Sequence, residues 1–510
     1  MSDPFSFIRT IDKEAGTIHV AAVAESNGYV AFGLAESGGM PGADMVAYSH
    51  KGGKLVDYHA TDYAAPIEDS CNDWTLVGHT MTDDGLMIWE GVQNLVMGDN
   101  QDHDIVDDSA PTIPQTRIIG AWGNSDTDGA LTYHSPQNRV KFEVRLSGNN
   151  AGLSTAGFYE SMAAEAEGSF FVGSSEYALN NENGGQPVAT EYTRVCVLLK
   201  DLVDDPLVEA HIIGFKPVID KIPNLHHLVL HASENREACG LGSGLEDVTI
   251  EAWAAGQGPH ELPKEAGFPM GGDNGYHSFE IGIHYDNAAM IEGIIDSSGL
   301  KVHYTTKKRT LDAGVFQVGD PYVQLDGNPV GEGITKHVFS CPSECSSFED
   351  EVEDVTIFGQ SLHMHTTGTR MIQETLRDGE VMHSSSVDYY DFNQMGMFNE
   401  QLAPFQLKRG DAFRTACMYG AKESTVFGLG SEDEMCITFF HYYPKQSTMV
   451  DCIYLGDAAW GLQYHPCLVG EYTKTELNGE EEVGRFFGTV PDQCSLEEIP
   501  PANSTGPPTP

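Results

Sequence analysis

Two histidines separated by one residue, His363 and His365, stand in the stretch GQSLHMHTTG. In a β-strand the side chains of residues i and i+2 point to the same face, so the two imidazoles would lie side by side and could share one metal ion. Because the chain has 20 histidines, such a pair also arises by chance. The motif therefore predicts a metal site only if other segments supply further ligands.

A second group of histidines begins with His226 and His227 in NLHHLVLHAS. Adjacent residues of a regular strand face opposite ways, so both rings reach one ion only if the backbone bends. The alternative, one buried and one exposed imidazole, stays open at this point. His284 in FEIGIHYDN is the third candidate ligand, and by spacing alone His303 and His231 compete with it.

Met435 stands between acidic residues and a cysteine in SEDEMCITFFHYYPK. A methionine is by default a core residue, but a thioether beside two imidazoles favours copper, particularly Cu(I), over zinc or magnesium. Met435 with the HxH pair would make a site of two imidazoles and one thioether, while the other three histidines would make an all-imidazole site. Two unlike copper sites indicate redox chemistry divided between them.

The elements that must position these ligands are strands. Short runs rich in Val, Ile, Thr, Tyr and Phe, such as GYVAFGLA, HHLVLHA and DVTIFG, are separated by turn residues that include many of the 55 glycines. This pattern predicts an all-β protein built of sandwiches. At 510 residues the chain is long enough for about three domains. Polar breaks fall near 178–192 and 318–336, and a Pro-rich tail follows.

The charge balance restricts the partners of the chain. Asp and Glu total 76 against 28 Lys and Arg, a formal charge of -48, which disfavours nucleic acid and anionic membrane surfaces. Ten cysteines indicate a secretory-lumen or extracellular protein with disulfides. The start MSDPFSFIRT has no apolar run, so we expect no signal peptide in this numbering, and no transmembrane segment is expected. A sequon at Asn503 is compatible with a secreted glycoprotein.

The region from about 192 to 470 resembles the ascorbate-dependent type II copper monooxygenases, most of all the dopamine beta-hydroxylase branch. The resemblance is carried, in family order, by LHHLVL, GIHYDN, MIEGIIDSSGLKVHYT, SLHMHTTG and DEMCITFFHYYP. The N-terminal part resembles the DOMON domain in GYVAFGLAESGGMPGADMV, CNDWTLVGH, GDNQDHDI and IIGAWGNSDTDGALTYHS.

These resemblances imply an N-terminal DOMON immunoglobulin-like β-sandwich followed by two jelly-roll copper domains. The implied layout is a DOMON domain at 1–150, a linker region at 151–190, copper domains at 191–330 and 331–470, and a tail at 471–510.

The resemblance also implies two copper ions per chain. It selects His284 rather than His303 as the third ligand of the all-histidine copper, which would store and deliver an electron. The copper that binds dioxygen and faces the substrate would be held by the catalytic residues His363, His365 and Met435. Ascorbate would supply two electrons, and one oxygen atom of O2 would enter the product.

Three disulfides are implied by the positions of cysteines in the family motifs: Cys196–Cys239, Cys341–Cys452 and Cys417–Cys436. Cys345 is expected to pair with Cys494 or Cys467. Cys71 has no assigned partner.

The implied activity is hydroxylation of a carbon centre in a small organic substrate, with a phenethylamine-like amine as one candidate. Peptide-amidating members place an arginine two residues before HxH, where this chain has Ser361, so a peptidylglycine substrate is disfavoured. His441 and Tyr442 resemble the amine-hydroxylating branch, but Gln317 replaces an acid of that branch. A solvated surface position for Gln317 and a purely structural role for His441 stay open.

For the DOMON part, Asp44 and Asp73 match positions that can hold a cation, and their oxygen ligands would suit calcium or sodium. The alternative is that each is an ordinary exposed acid. The second functional hypothesis is a non-catalytic extracellular protein that binds copper, haem or sugar. Expected partners are the small-molecule substrate and O2, without nucleic acid, and a homo-oligomer is an open expectation.

Overall fold

The computed structural model describes the chain from Phe5 to Glu476 with gaps. These gaps are residues 36–37, 62, 98–101, 106–115, 126–128, 135–137, 145, 147–161, 163, 180–189, 222–223, 240–247, 255–258, 288–289, 321–328, 347, 350, 388, 393–398, 401–403, 429–432, 449–451 and 454–470. The all-β prediction is confirmed, because nearly every element in the described residues is a strand. Two short 3₁₀ helices, Leu199–Asp201 and Ser343–Cys345, interrupt them.

Ten strands form the first compact unit, which includes Met1–Gly148 and Val387–Asp391. They are β1 Phe5–Asp12, β2 Thr17–Glu25, β3 Tyr29–Ala35, β4 Ala43–Ser49, β5 Lys54–His59, β6 Ile67–Glu68, β7 Thr75–Met81, β8 Leu86–Asn94, β9 Thr116–Gly123 and β10 Arg139–Val144. One sheet has the order β1-β2-β8-β7 and the other β10-β9-β3-β4-β5-β6.

The core of this unit lies between its two sheets. In β2 every second residue from Ile18 to Ala24 is buried, because alternate side chains of a strand face the core. Trp89 of one sheet and Phe32 of the other belong to the same buried cluster. Each such fully buried side chain stabilises the sandwich by about 2–3 kcal/mol.

The second unit begins with strands that form one half of a larger β structure. They are β11 Gly168–Gly173, β12 Tyr177–Ala178, β13 Thr190–Leu198, β14 Ala210–Val218, β15 Leu225–Ser233, β16 Val248–Ala254, β17 His260–Glu261, β18 Ala266–Met270, β19 Ser278–Asp286, β20 Ile295–Asp296, β21 Gly299–Thr305 and β22 Leu311–Asp312. Sheet β13-β19-β15-β16 and sheet β11-β21-β14-β18-β22 enclose a common core.

The remaining strands form the other half of the second unit. They are β23 Gly314–Asp320, β24 Gly333–Cys341, β25 Asp354–His363, β26 Gly368–Arg377, β27 Glu380–Val387, β28 Asn399–Glu400, β29 Phe405–Lys408, β30 Ala412–Ala421, β31 Cys436–Tyr443, β32 Cys452–Ile453 and β33 Glu471–Glu476. Their sheets have the orders β28-β25-β31-β23-β32 and β27-β26-β30-β24-β33.

The elements differ from the expected domain layout at two places. The segment 151–190, expected to be a linker, contains β11 and β12, which pair with β21 and β20 of the second unit. The boundary between the two copper domains was expected at residue 330. Strand β23 pairs with β31 and so belongs to the second half of this unit, which places the boundary before β23. Most of the polar break, residues 321–328, lies outside the described residues.

Three disulfides crosslink the second unit, and all three pairings match the expectation: Cys196–Cys239, Cys341–Cys452 and Cys417–Cys436. Cys71 and Cys345 are also disulfide-bonded. Cys467, Cys494 and the sequon at Asn503 lie outside the described residues. In the part of the chain that the structure describes, no helix is both long and apolar enough to cross a membrane.

Candidate metal centres

The first centre is a cluster of three histidines made possible by an irregularity in β15. The pairing of β15 with β19 shifts its register between Leu225 and His227, so His226 is an extra residue in the strand. Such a bulge re-aims a side chain. His226 and His227 therefore turn toward the same place, and His227 lies directly opposite His284 on β19. The backbone bend that both rings need in order to reach one ion is therefore present in β15.

The ring nitrogens of this cluster converge. Nδ1 of His227 lies 2.9 Å from Nδ1 of His226 and 3.3 Å from Nδ1 of His284. On the other side of the His284 ring, Nε2 lies 2.6 Å from Thr190 Oγ1. When Nε2–H donates to Thr190, Nδ1 carries the lone pair that faces the other two rings. The three donor atoms all lie within 4.8 Å of one another, as metal ligands do.

Burial keeps these imidazoles neutral. It lowers the pKa of His227 well below its usual value, and the neighbouring imidazoles lower it further. The pKa of His284 falls to about 3, again mainly through burial. Neutral imidazole is the form that binds a metal ion. Tyr192, about half exposed, stacks on His284 with ring centroids 4.1 Å apart.

The competing histidines have other surroundings. His231 lies farther along β15, where its Nδ1 is 3.0 Å from Thr249 Oγ1. His303 lies on β21, in the other sheet of this half. The structure therefore brings together the three histidines that the family resemblance selected.

The second centre lies where β25 ends. His363 is the last residue of that strand, and His365 follows two residues later with the ring centroids 5.1 Å apart. His363 pairs with Ile437 of β31, and Met435 directly precedes the first residue of that strand. Burial, followed by the charge of His365, lowers the pKa of His363 well below its usual value.

Glu434 holds the loop that carries His365. Its Oε2 accepts the backbone N–H of His365 at 2.9 Å, and its Oε1 accepts from the backbone N–H and hydroxyl of Thr367 at 2.5 and 2.7 Å. Burial raises the pKa of Glu434 to about 7, although these hydrogen bonds act in the opposite direction. Nδ1 of His365 lies 3.2 Å from the Asp433 carbonyl. When Nδ1–H donates to this carbonyl, Nε2 is the nitrogen available to a metal.

Phe392 lies near histidines of both centres. Its ring centroid is 5.1 Å from that of His226 and 5.8 Å from that of His365. One aromatic ring is thus a neighbour of both histidine clusters. Sequence reasoning missed Phe392, Glu434 and Thr190, because a phenylalanine, an acid or a threonine without a motif carries no signal of this role.

The expected substrate residues divide between two faces of one sheet. Gln317 and Ser361 both pair with Phe439, and they share the face that carries His363. His441 is on this face too, but it is buried, and burial lowers its pKa to about 3. Tyr442 points the other way because neighbours alternate along a strand, and its ring packs on Phe316 in the core. Tyr442 is therefore not brought to the site.

In the first unit, Asp44 joins an acid cluster that differs from the expected one. Carboxylate oxygens of Asp44, Asp57 and Asp102 lie within 4.8 Å of one another. Asp73 contributes its backbone N–H to Asp57 at 3.3 Å. Burial raises the pKa of Asp57 well above its usual value, and the charges of Asp44 and Asp69 raise it further. With 76 acidic residues in the chain, no motif singles out Asp57 or Asp102.

Three domain models match the chain. The DOMON domain matches residues 6–113. The N-terminal and C-terminal domains of the copper type II ascorbate-dependent monooxygenases match residues 177–292 and 311–464. The two copper-domain models together cover more than half of the chain.

Individual relatives agree with these models. Dopamine beta-hydroxylase of Canis lupus familiaris is 29% identical over 279 residues, which are 51% of this chain and 44% of that protein. Tyramine beta-hydroxylase of Caenorhabditis briggsae is 30% identical over 289 residues, 53% of this chain and 49% of that protein. The chain thus spans about half the length of these curated relatives. DBH-like monooxygenase protein 1 of Gallus gallus is 27% identical over 468 residues, 86% of this chain and 71% of that protein.

Among solved structures, the cytochrome domain of Myriococcum thermophilum cellobiose dehydrogenase covers 31% of this chain at 11% identity. The matched region makes up 81% of that cytochrome domain. The TM-score is 0.22, which is too low to support a statement about this protein. The two copper-domain models, by contrast, match in consecutive order behind a DOMON domain. The chain belongs to the copper type II ascorbate-dependent monooxygenase family.

Proposed function

We propose that this protein is an ascorbate-dependent copper monooxygenase that hydroxylates a carbon centre of a small organic substrate with O2. The observation that carries the proposal is the pair of histidine clusters with unlike surroundings, which share Phe392 as a neighbour. A protein that only stores copper has no need of two dissimilar centres.

The residues present fit copper, because three histidine nitrogens converge at the first centre, and at the second the rings of His363 and His365 are neighbours, with the thioether of Met435 directly before the strand that pairs with His363. The first ion would be held by His226, His227 and His284, and the second by His363, His365 and Met435. Copper supplies activation of O2 and one-electron transfer, which no side chain provides. In the overall reaction one oxygen atom enters a C–H bond, and the other leaves as water after taking two electrons from ascorbate and two protons.

The protein's own groups prepare these centres. Burial lowers the pKa of His227, His284 and His363, so these rings have no proton to lose before a metal binds. Thr190 and the Asp433 carbonyl each fix one ring nitrogen and so leave the other nitrogen to the metal. Phe392 packs near a histidine of each cluster.

The remaining parts of the proposal concern the setting of the enzyme. The relatives are named for dopamine and tyramine, both arylethyl compounds, so an arylethyl skeleton is the first substrate class to test. Disulfides support a secretory-lumen or extracellular location. Calcium at Asp44 and its neighbours is supported by the raised pKa of buried Asp57, because a cation would relieve the repulsion there.

The decisive experiment is copper content per chain after reconstitution and dialysis, with His363→Ala alongside. Two coppers falling to one in the variant, with ascorbate-dependent O2 uptake in the wild type, would support the proposal. His50→Ala is the matched control, because His50 is exposed and lies in the first unit. Retention of no copper would refute the proposal, and retained copper without ascorbate-dependent product formation would favour the non-catalytic alternative.

A further inference from the structure

We infer that the substrate bound beside His363 is uncharged, an aromatic or apolar molecule whose polar end is a hydroxyl or carbonyl group. This inference deepens the proposed function and rests on it. It is carried by the sheet face that bears His363, formed by strands β25, β31 and β23.

The strand register defines this face as three neighbouring rows. His363 lies in the row that contains Ile437. The next row on the same face runs Ser361, Phe439, Gln317 across the three strands. Residues i and i+2 of a strand are about 7 Å apart and neighbouring strands about 5 Å apart, so this polar row lies within the length of a small molecule from His363.

Phe439 gives this face an apolar centre. Its side chain is half-buried, and its ring centroid lies 6.4 Å from that of His363 in an edge-on arrangement. An aromatic ring of the substrate could pack on Phe439 in the same way, with its reacting carbon toward His363. The amide of Gln317 and the hydroxyl of Ser361 flank Phe439 on either side and can each donate and accept a hydrogen bond.

This face offers no opposite charge to a charged substrate. None of the nine positions in the three rows is Asp, Glu, Lys or Arg. His441, in the row beyond Ser361, is buried and neutral. The ring of His260 lies 6.2 Å from that of His441, and its Nδ1 is paired with Oε2 of Glu251 at 2.6 Å.

An ammonium or a carboxylate on the substrate would therefore lose water without gaining an opposite charge on this face. Leaving an ion without a partner is costly, whereas a hydroxyl or carbonyl group can be satisfied by an amide and a hydroxyl. Uncharged hydrogen bonds also discriminate well, because a group built to bond a substrate hydroxyl is left unsatisfied by an analogue without one.

The test uses a matched pair, 2-phenylethanol and phenethylamine, of which only the amine is charged at pH 7. We expect the alcohol to have a kcat/KM at least about 10-fold higher than the amine in the wild type. Gln317→Glu should shift this ratio toward the amine by at least about 10-fold, because it adds a carboxylate beside Phe439. Gln406→Glu is the matched control, since Gln406 is an exposed residue of β29 in the same sheet.

The same pair is also titrated calorimetrically into the metal-free protein, so that charge preference is measured without turnover. Equal or stronger binding and use of the amine, an unchanged ratio in Gln317→Glu, or binding of neither compound would overturn the inference. Failure of the proposed function has a different signature: copper and ascorbate-dependent O2 uptake would be absent while the binding preference was still measured.

Discussion

The two histidine centres are built in different ways. The first lies within regular sheet, where His227 and His284 are cross-strand neighbours and one bulge adds His226. The second lies at a strand end, where His365 is positioned by hydrogen bonds from a loop to Glu434. Backbone pairing thus holds His227 and His284 in the first centre, whereas in the second it holds only His363, and a buried carboxylate holds the loop of His365.

This difference predicts a difference in rigidity. Strand pairing fixes a ligand through many backbone hydrogen bonds, so no single side chain decides the geometry of the first centre. A loop held by one carboxylate can adjust when that carboxylate changes. A rigid centre suits an ion that only exchanges electrons, whereas an adjustable centre suits an ion whose surroundings change as substrate and O2 arrive.

The largest effect that would separate the two centres is expected for Met435→Ala. Loss of the thioether should abolish hydroxylation while the copper at the three-histidine cluster remains, because Met435 directly precedes β31, which pairs with the strand of His363, whereas the cluster is carried by β15 and β19. Product formation and copper content measured on the same sample check this. Met382→Ala is the control, since Met382 is exposed. Hydroxylation that survives in Met435→Ala would show that the assignment of this ligand is wrong.

A smaller effect is expected for Glu434→Gln. The amide would turn an N–H toward the backbone N–H of His365 or of Thr367, so one hydrogen bond of the loop is lost. Copper should bind the second centre about 10- to 100-fold more weakly, with the first centre unchanged. Competition with a chelator measures both affinities. Glu374→Gln, which alters a surface pair with Arg414, is the control, and an equal loss at both centres would contradict the contrast between them.

At the first centre, Thr190→Val should weaken copper binding by about 10-fold. The hydroxyl that fixes the His284 ring is removed, but β19 still holds the backbone of His284. Thr193→Val is the control, because Thr193 lies on β13 like Thr190. If Thr190→Val were as damaging as Glu434→Gln, strand pairing would not be what makes the first centre robust.

The smallest effect is expected for Tyr192→Leu, which removes the ring stacked on His284. Such a contact is worth about 0.5–1.5 kcal/mol, so copper affinity at the first centre should fall only a few-fold. Chelator competition again measures it, with Tyr133→Leu, an exposed tyrosine of the first unit, as the control. A loss above about 100-fold would mean that this ring determines the geometry of the centre.

How far the sequence predicted the molecule depends on whether a feature is local. The strand-rich pattern predicted the all-β fold, because period 2 in a strand is a property of the backbone alone. HxH predicted neighbouring imidazoles, and they are neighbours, but only His363 lies in the strand and His365 follows it in a loop. His226 and His227 could not be assigned from the residues alone. Their convergence depends on a bulge that is defined only by pairing with a second strand.

Features that depend on long-range register were not predictable from the sequence. Tyr442 stands beside His441 in the sequence, yet the two face opposite sides of β31, and only the pairing with β25 shows which side bears His363. Asp57 was missed because Asp44 is its neighbour across strands β4 and β5 and not along the chain. Acidic residues in a chain of charge -48 carry no signal until they are buried together.

The disulfide Cys417–Cys436 has a consequence for the order in which the protein matures. Cys436 directly follows Met435, and both cysteines are fully buried. An oxidant cannot reach sulfur atoms that are packed between sheets, so this bond must close before β31 is covered. Only then is Met435 held in place. We therefore expect oxidation of this cysteine pair to precede copper loading of the second centre, so that metal delivery acts on a chain already crosslinked.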